Sequence, residues 1–176
     1  MLNALANMGS AGVFPDSAGN WGQSIVKLAL DADGRFRLAG TYTPFDYCQA
    51  GSRDLDLGGG APLVVDLPER SSATPHLLVH GGSKQGNAYL LDRERMPGSL
   101  VKRPPCADDP EAVADRDGSL LPPTPQAPFT VRAPLNVFGP YSHRFGMGDL
   151  AKSRTTPAYF RDAAGRHFMF ATGGAK

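Results

Sequence analysis

Two carboxylates and a lysine are the residues of this chain best placed for chemistry. Asp54 and Asp56 lie in a Gly-rich loop that leads into the apolar run 63–67, and Lys84 follows Gly81-Gly82 at the turn after the next apolar run, 77–80. Carboxylates transfer protons and an ammonium group stabilises an anion. The local reading is plainer: turn aspartates accept backbone N–H bonds and hold the loop, and a hairpin lysine is solvated. Other reactive residues are less well placed. His76, His80, His143 and His167 are scattered, with no cysteine or carboxylate at metal-ligand spacing, which argues against zinc. Asp31-Ala32-Asp33-Gly34 begins like a calcium loop, but Arg35 follows and the bidentate glutamate is missing, so a hairpin turn is expected. Ser24 and Ser83 lack the Gly-x-Ser-x-Gly elbow of hydrolases, and no phosphate-cradling loop is present. Cys48 and Cys106 have no diagnostic spacing and suit either a bridge in an oxidising compartment or two separate thiols.

The elements that must position these residues come in two copies. Asp54-Leu55 precedes Pro62 by eight residues, and Asp149-Leu150 precedes Pro157 by the same eight. Each proline opens an apolar run, then a turn and a second apolar run closed by Gly-Gly-x-Lys, at Lys84 and again at Lys176. An internal period is read before any local element. Residues 1–23 read as loop, with Trp21 the only bulky anchor. Strands are expected at about 24–30, 36–42, 63–67, 77–80, 88–91, 158–160 and 168–171, with residues 131–138 restoring a strand between the copies. Residues 43–60 are expected to form a long loop. From 92 to 130 the pattern dissolves into eight prolines and a run of acids, the mark of an insertion or mobile surface loop. No segment sustains a 3.6-residue period, so the class is all-β.

Strands 24–30 and 36–42 read as the last two of one four-stranded unit. Strands 63–67, 77–80 and 88–91 begin the next, whose fourth strand lies in or beyond 92–130, and 158–160 with 168–171 begin a third. The copies are offset by about twice the ~40–50 residues of a propeller blade, and the proline-rich insertion accounts for the excess. Incomplete stacked sheets leave their flanks open, whereas a propeller closes as a ring. The expectation is a fragment of a β-propeller spanning 1–176. It amounts to about two four-stranded antiparallel blades, strand-rich at 20–95 and 131–176, and its partner is the remainder of the ring.

Composition agrees with many short elements: Gly (21) and Pro (16) make up about a fifth of the chain. A net charge of +1 gives no reason to expect a nucleic-acid partner or an anionic membrane. No stretch approaches the ~20 apolar residues of a membrane span. The N-terminal MLNALANMGSAGVF has neither a basic leader nor a sustained apolar core and does not read as a signal peptide.

The string GGSKQGNAYLLDRE, residues 81–94, resembles the repeat of pyrroloquinoline-quinone (PQQ) dehydrogenases and their non-catalytic relatives, the quinoprotein-like β-propellers. Those repeats pair a Lys-x-Gly turn with an aromatic-containing strand ending in Leu-Asp-Arg. The upstream run of strand, Asp-Gly turn, strand, Asp-x-Asp loop and Pro-led strand is similar too, so the likeness covers residues 20–95 well and 134–176 more faintly. The resemblance implies a periplasmic or extracellular protein. In the dehydrogenases an aspartate at the position of Asp54 serves as general base on an alcohol, and a Lys or Arg at the position of Lys84 contacts the quinone oxygens. The enzymes carry Trp where this chain has Arg53, and some place adjacent cysteines beside the cofactor, which this chain lacks. A repeated lysine, Lys84 and Lys176, fits shared ancestry of the repeats better than two active sites. The expected role is therefore a scaffold or binding module of unknown ligand, with part of a PQQ-dependent alcohol or sugar dehydrogenase as the alternative.

Overall fold

The segment IVKLAL buries Ile25, Val26 and Ala29 almost completely. In the computed structural model, which describes residues 3–7, 19–44, 47–52, 54–68, 73–84, 86–103, 134–138 and 151–175, this segment is the central strand of a three-stranded antiparallel sheet. The sheet runs β1 (Asn3–Asn7), β2 (Ile25–Leu30), β3 (Phe36–Tyr42). β1 corrects the expectation that residues 1–23 are loop. A buried central strand needs hydrogen-bond partners along both edges, and Asn3–Asn7 supplies the second ladder, with Leu5 opposite Lys27. Between β2 and β3 the register shifts at Lys27/Leu28, with Ala39 as the extra residue of a bulge.

The second sheet is a meander in sequence order: β4 (Leu63–Asp66), β5 (His76–His80), β6 (Ala88–Asp92) and β7 (Asn136–Phe138), all antiparallel. These are the expected strands, and the fourth arrives beyond the proline-rich segment. Leu78 lies opposite Leu91 and His80 opposite Tyr89, so one face of this sheet presents Leu78, Tyr89 and Leu91. That face packs with Ile25, Tyr42 and Leu57 into a common core, with Met96 against it. The Tyr42 and Tyr89 rings meet across the two sheets at 5.4 Å between centroids, tilted by 53°.

Two short ladders follow. β9 (Ala158–Arg161) and β10 (His167–Phe170) form the hairpin expected at 158–160 and 168–171, and β8 (Ala151–Lys152) pairs with β11 (Gly174–Ala175). β4 packs beside β9.

Two expectations need correcting. Residues 43–60 hold a one-and-a-half-turn helix, α1 (Tyr47–Ser52), anchored by buried Tyr47 and Ala50. Residues 93–103 of the supposed mobile segment are irregular but tied down. Lys27 Nζ donates to the Arg93 carbonyl (2.9 Å) and Gly98 N–H to the Thr41 carbonyl (2.8 Å). Gly19 N–H reaches the Val101 carbonyl (3.2 Å) and Arg103 donates to the Gly22 carbonyl (2.7 Å). With few apolar groups of its own, this stretch takes its partners from the edge of β3 and from the loop before β2. Residues 104–130 lie outside the described residues, as do 131–133. No helix among the described residues is long and apolar enough to cross a membrane.

Candidate functional site

Asp54 owes its position to the end of α1. The Leu55 N–H donates to the Ala50 carbonyl (2.8 Å), and Asp54 adopts the left-handed backbone at φ 57°. This is a Schellman closure with Asp54 in the place usually held by glycine, and buried Leu55 supplies the apolar contact that accompanies the motif. Aspartate tolerates that conformation better than most residues. The chain then continues through Asp56 and Leu57 past the turn that leaves β5.

That turn brings Lys84 back to the same place. Its backbone N–H donates to the Asp56 carbonyl (2.9 Å). Its ammonium group donates to both carboxylates, at 2.9 Å to Asp54 Oδ1 and 2.8 Å to Asp56 Oδ2. The approach depends on small residues: the Gly59 and Gly60 N–H groups both donate to the Gly82 carbonyl, and a Cβ on Gly82 would come within 2.2 Å of Gly60 N. Asp54 and Lys84 therefore converge at one end of the second sheet, as the hairpin geometry required.

Gln23 completes the cluster. Its Oε1 accepts from the Leu57 N–H (2.7 Å) and its Nε2 reaches Asp56 Oδ1 at 3.5 Å. Gln23 is buried and, like Asp54, has a left-handed backbone, at φ 56°. Among the described residues these are the only two non-glycine positions with positive φ, and both belong to this cluster. Sequence reasoning missed Gln23, because a glutamine carries no propensity signal for that conformation.

The cluster is also a junction. Ser153 N–H donates to the Ser83 carbonyl (3.0 Å) and Ala61 N–H to Thr156 Oγ1 (2.9 Å), while a Cβ on Gly81 would collide with Pro157. First sheet, second sheet and the second copy all meet here. The second copy repeats the construction: Gly174 and Ala175 pair back onto Lys152 and Ala151, as Lys84 pairs back onto Asp56. Arg53, Gln85, Asp149 and Lys176 lie outside the described residues.

The electrostatics follow from these contacts. Lys84 donates to Asp54 and holds its carboxyl below the usual range, helped by Asp56 and by the positive charge of Lys152. Asp56 and Asp54 together push the Lys84 ammonium above its ordinary value. Asp54 is 83% exposed. A general base works best with a pKa near the operating pH, and this carboxylate is moved the other way.

Near the site, His80 is fully buried and burial pushes its pKa down, so the ring is neutral at neutral pH. Its Nε2–H donates to the Leu57 carbonyl (2.7 Å), which fixes the tautomer and holds the Asp56-Leu57 segment from below. Cys48, on α1, is disulfide-bonded, and Cys106 is the other cysteine of the chain. Among the described residues no group of His, Cys, Asp and Glu is arranged to hold a metal ion.

Comparison with known proteins adds nothing to this geometry: no protein-family model, curated protein or solved structure matches the chain.

Proposed function

We propose that this chain is part of a quinoprotein-like β-propeller and serves as a scaffold or binding module, with the Asp54–Lys84–Asp56 cluster as a clamp that closes the first copy where it meets its neighbours. The observation that carries the reading is the state of Lys84. Its ammonium is committed to two carboxylates, and that same bond lowers the proton affinity of the aspartate a quinoprotein dehydrogenase would need as base. A quinone cradle calls for a lysine directed at the cofactor oxygens and a basic carboxylate beside the alcohol. The residues here fit a structural ion-pair clamp instead. The propeller reading draws support from the four-stranded meander, from the core shared by two sheets and from the repeated doubling-back of the Gly-Gly turn. The disulfide at Cys48 supports a periplasmic or extracellular location, since such bonds persist in oxidising compartments.

The second reading, part of a PQQ-dependent alcohol or sugar dehydrogenase, is favoured by the convergence of Asp54 and Lys84 at one end of the sheet. Reconstituting the full-length gene product with PQQ separates the two. The scaffold reading expects no quinone-dependent dye reduction with alcohols or sugars, and quinone affinity unchanged by Lys84→Ala. Dye reduction that Lys84→Ala abolishes would establish the enzyme.

A further inference from the structure

Three side chains at the closed end of the β5–β6 hairpin are buried and polar, and each carries an atom with no hydrogen-bond partner in the protein. The atoms are His80 Nδ1, Ser83 Oγ and Asn87 Oδ1, on residues that are 0%, 0% and 2% exposed. Folded proteins leave few buried polar groups unbonded, because each one forfeits its hydration with nothing in return. Three such atoms on one hairpin call for one explanation.

The register brings them together. Leu78 lies opposite Leu91 and His80 opposite Tyr89. Side chains alternate along a strand, so the same face continues to Gly82 and Asn87, just past the ladder. His80 and Asn87 are then diagonal cross-strand neighbours on the core-facing side, ~7–8 Å apart, a spacing that one bridging molecule spans. Gly82, opposite Asn87, brings no side chain between them. Ser83 begins the connecting turn. Its carbonyl accepts from the Gly86 N–H (3.1 Å) and the Ser153 N–H (3.0 Å), which leaves the hydroxyl as its unbonded group.

The three atoms have a definite chemistry. His80 Nε2 bonds the Leu57 carbonyl at 2.7 Å. A carbonyl only accepts, so the hydrogen is on Nε2 and Nδ1 presents a lone pair. Asn87 Oδ1 presents another, and the Ser83 hydroxyl rotates to donate. Two acceptors and one donor complement a single water, which gives two hydrogens and accepts one. An ion would bring charge into a buried site where none of the three groups is charged to offset it.

We propose that His80 Nδ1, Ser83 Oγ and Asn87 Oδ1 bind one buried water molecule, which ties β5, β6 and the turn between them. That turn carries Lys84 to Asp54 and Asp56, so the water acts as a positioning element of the clamp. The site is independent of the propeller reading.

The test uses the full 176-residue chain. Rotating-frame NOE spectra should show cross-peaks between water and His80 Hε1 with the sign of a long-lived water, and their absence overturns the proposal. Ser83→Ala then decides by the direction of its effect on chemical denaturation. A hydroxyl bonded to the water is lost at a cost, so the folded-to-unfolded ratio should fall ~2–12-fold, the range of one net hydrogen bond. An unbonded buried hydroxyl is instead better removed, and a ratio that rises overturns the proposal. Stability that increases when potassium or ammonium chloride replaces lithium chloride at fixed ionic strength would assign the site to a cation and overturn it too. The positioning role has its own readout. Ser83→Ala should move the Asp54 carboxyl titration part of the way back toward its ordinary value, and an unchanged titration overturns that role.

Discussion

At the scale of single residues, the chemistry of the site is decided by Lys84. An aspartate on a loop would titrate near its ordinary value of ~3.9, but Asp54 bonded to Lys84 has a lower one. Its folded pKa lies below its unfolded pKa, so the stabilisation is present above pH ~4 and is lost as pH falls through the folded value. Lys84 has the opposite sign. Its folded pKa is raised, so its contribution is complete below the unfolded value of ~10.4 and is lost as pH rises through the folded one. The clamp should thus be intact across the whole range between and weaken at both extremes. Carboxyl-detected NMR titration checks this: Lys84→Ala should raise the Asp54 pKa to about its ordinary value. An unchanged titration would mean that the ion pair does not form in solution.

Single elements repeat their devices more faithfully than their sequences. The β2–β3 and β9–β10 hairpins share one turn, DADGR at residues 31–35 and DAAGR at 162–166. In both, the glycine N–H donates to the aspartate carbonyl and the aspartate Oδ1 accepts from the arginine N–H, at 2.8 Å for Arg35 and 2.8 Å for Arg166. Gly34 and Gly165 have φ of 78° and 80°, a left-handed conformation that costs a side-chain-bearing residue ~1–2 kcal/mol. Gly34→Ala and Gly165→Ala should therefore each destabilise their hairpin by about 1 kcal/mol, read from chemical denaturation monitored by NMR at the strand amides. A loss seen in only one hairpin would show that the two turns are not equivalent. The copies differ elsewhere. Val79 precedes Gly82 by three residues, whereas Phe170 precedes Gly174 by four, so the second copy absorbs one extra residue between its strand and its glycines.

For the whole molecule, stability rests on one core shared by the two larger sheets. Leu78 contributes from the second sheet and is fully buried against Ile25, Tyr42 and Leu57. Truncating such a side chain leaves a cavity as well as removing apolar contact, so Leu78→Ala should cost ~2–5 kcal/mol. Because the core is common to both sheets, their exchange protection should fall together. If the β2–β3 amides kept full protection while the β5–β6 amides lost theirs, the sheets would be independent units. The disulfide at Cys48 and the packing of the Arg103 guanidinium over the Tyr47 ring, at 4.3 Å, add further ties at α1.

The strand pattern needed no coordinates. Alternation in SIVKLAL, the Asp-Gly turn and the duplicated Pro-led runs placed β2 to β6, β9 and β10, because side-chain period and turn chemistry are local properties of the chain. β1 and α1 were not legible. Asn3–Asn7 is a strand because β2 has an edge to fill, and residues 47–52 are helical because Tyr47 and Ala50 find a core. Residues 93–103 were read as mobile for the same reason: their hydrogen bonds go to Thr41, Gly22 and Lys27, more than fifty residues away. Asp54 and Lys84 could be chosen from the sequence, and their convergence followed from hairpin direction. That Lys84 also takes Asp56, and that Gln23 braces the Asp56-Leu57 segment from the loop before β2, was decided by the tertiary structure alone. Spacing along a chain says which residues can be neighbours. Only the folded packing says how many carboxylates share one lysine, and the bond from that lysine is what holds the Asp54 carboxyl low.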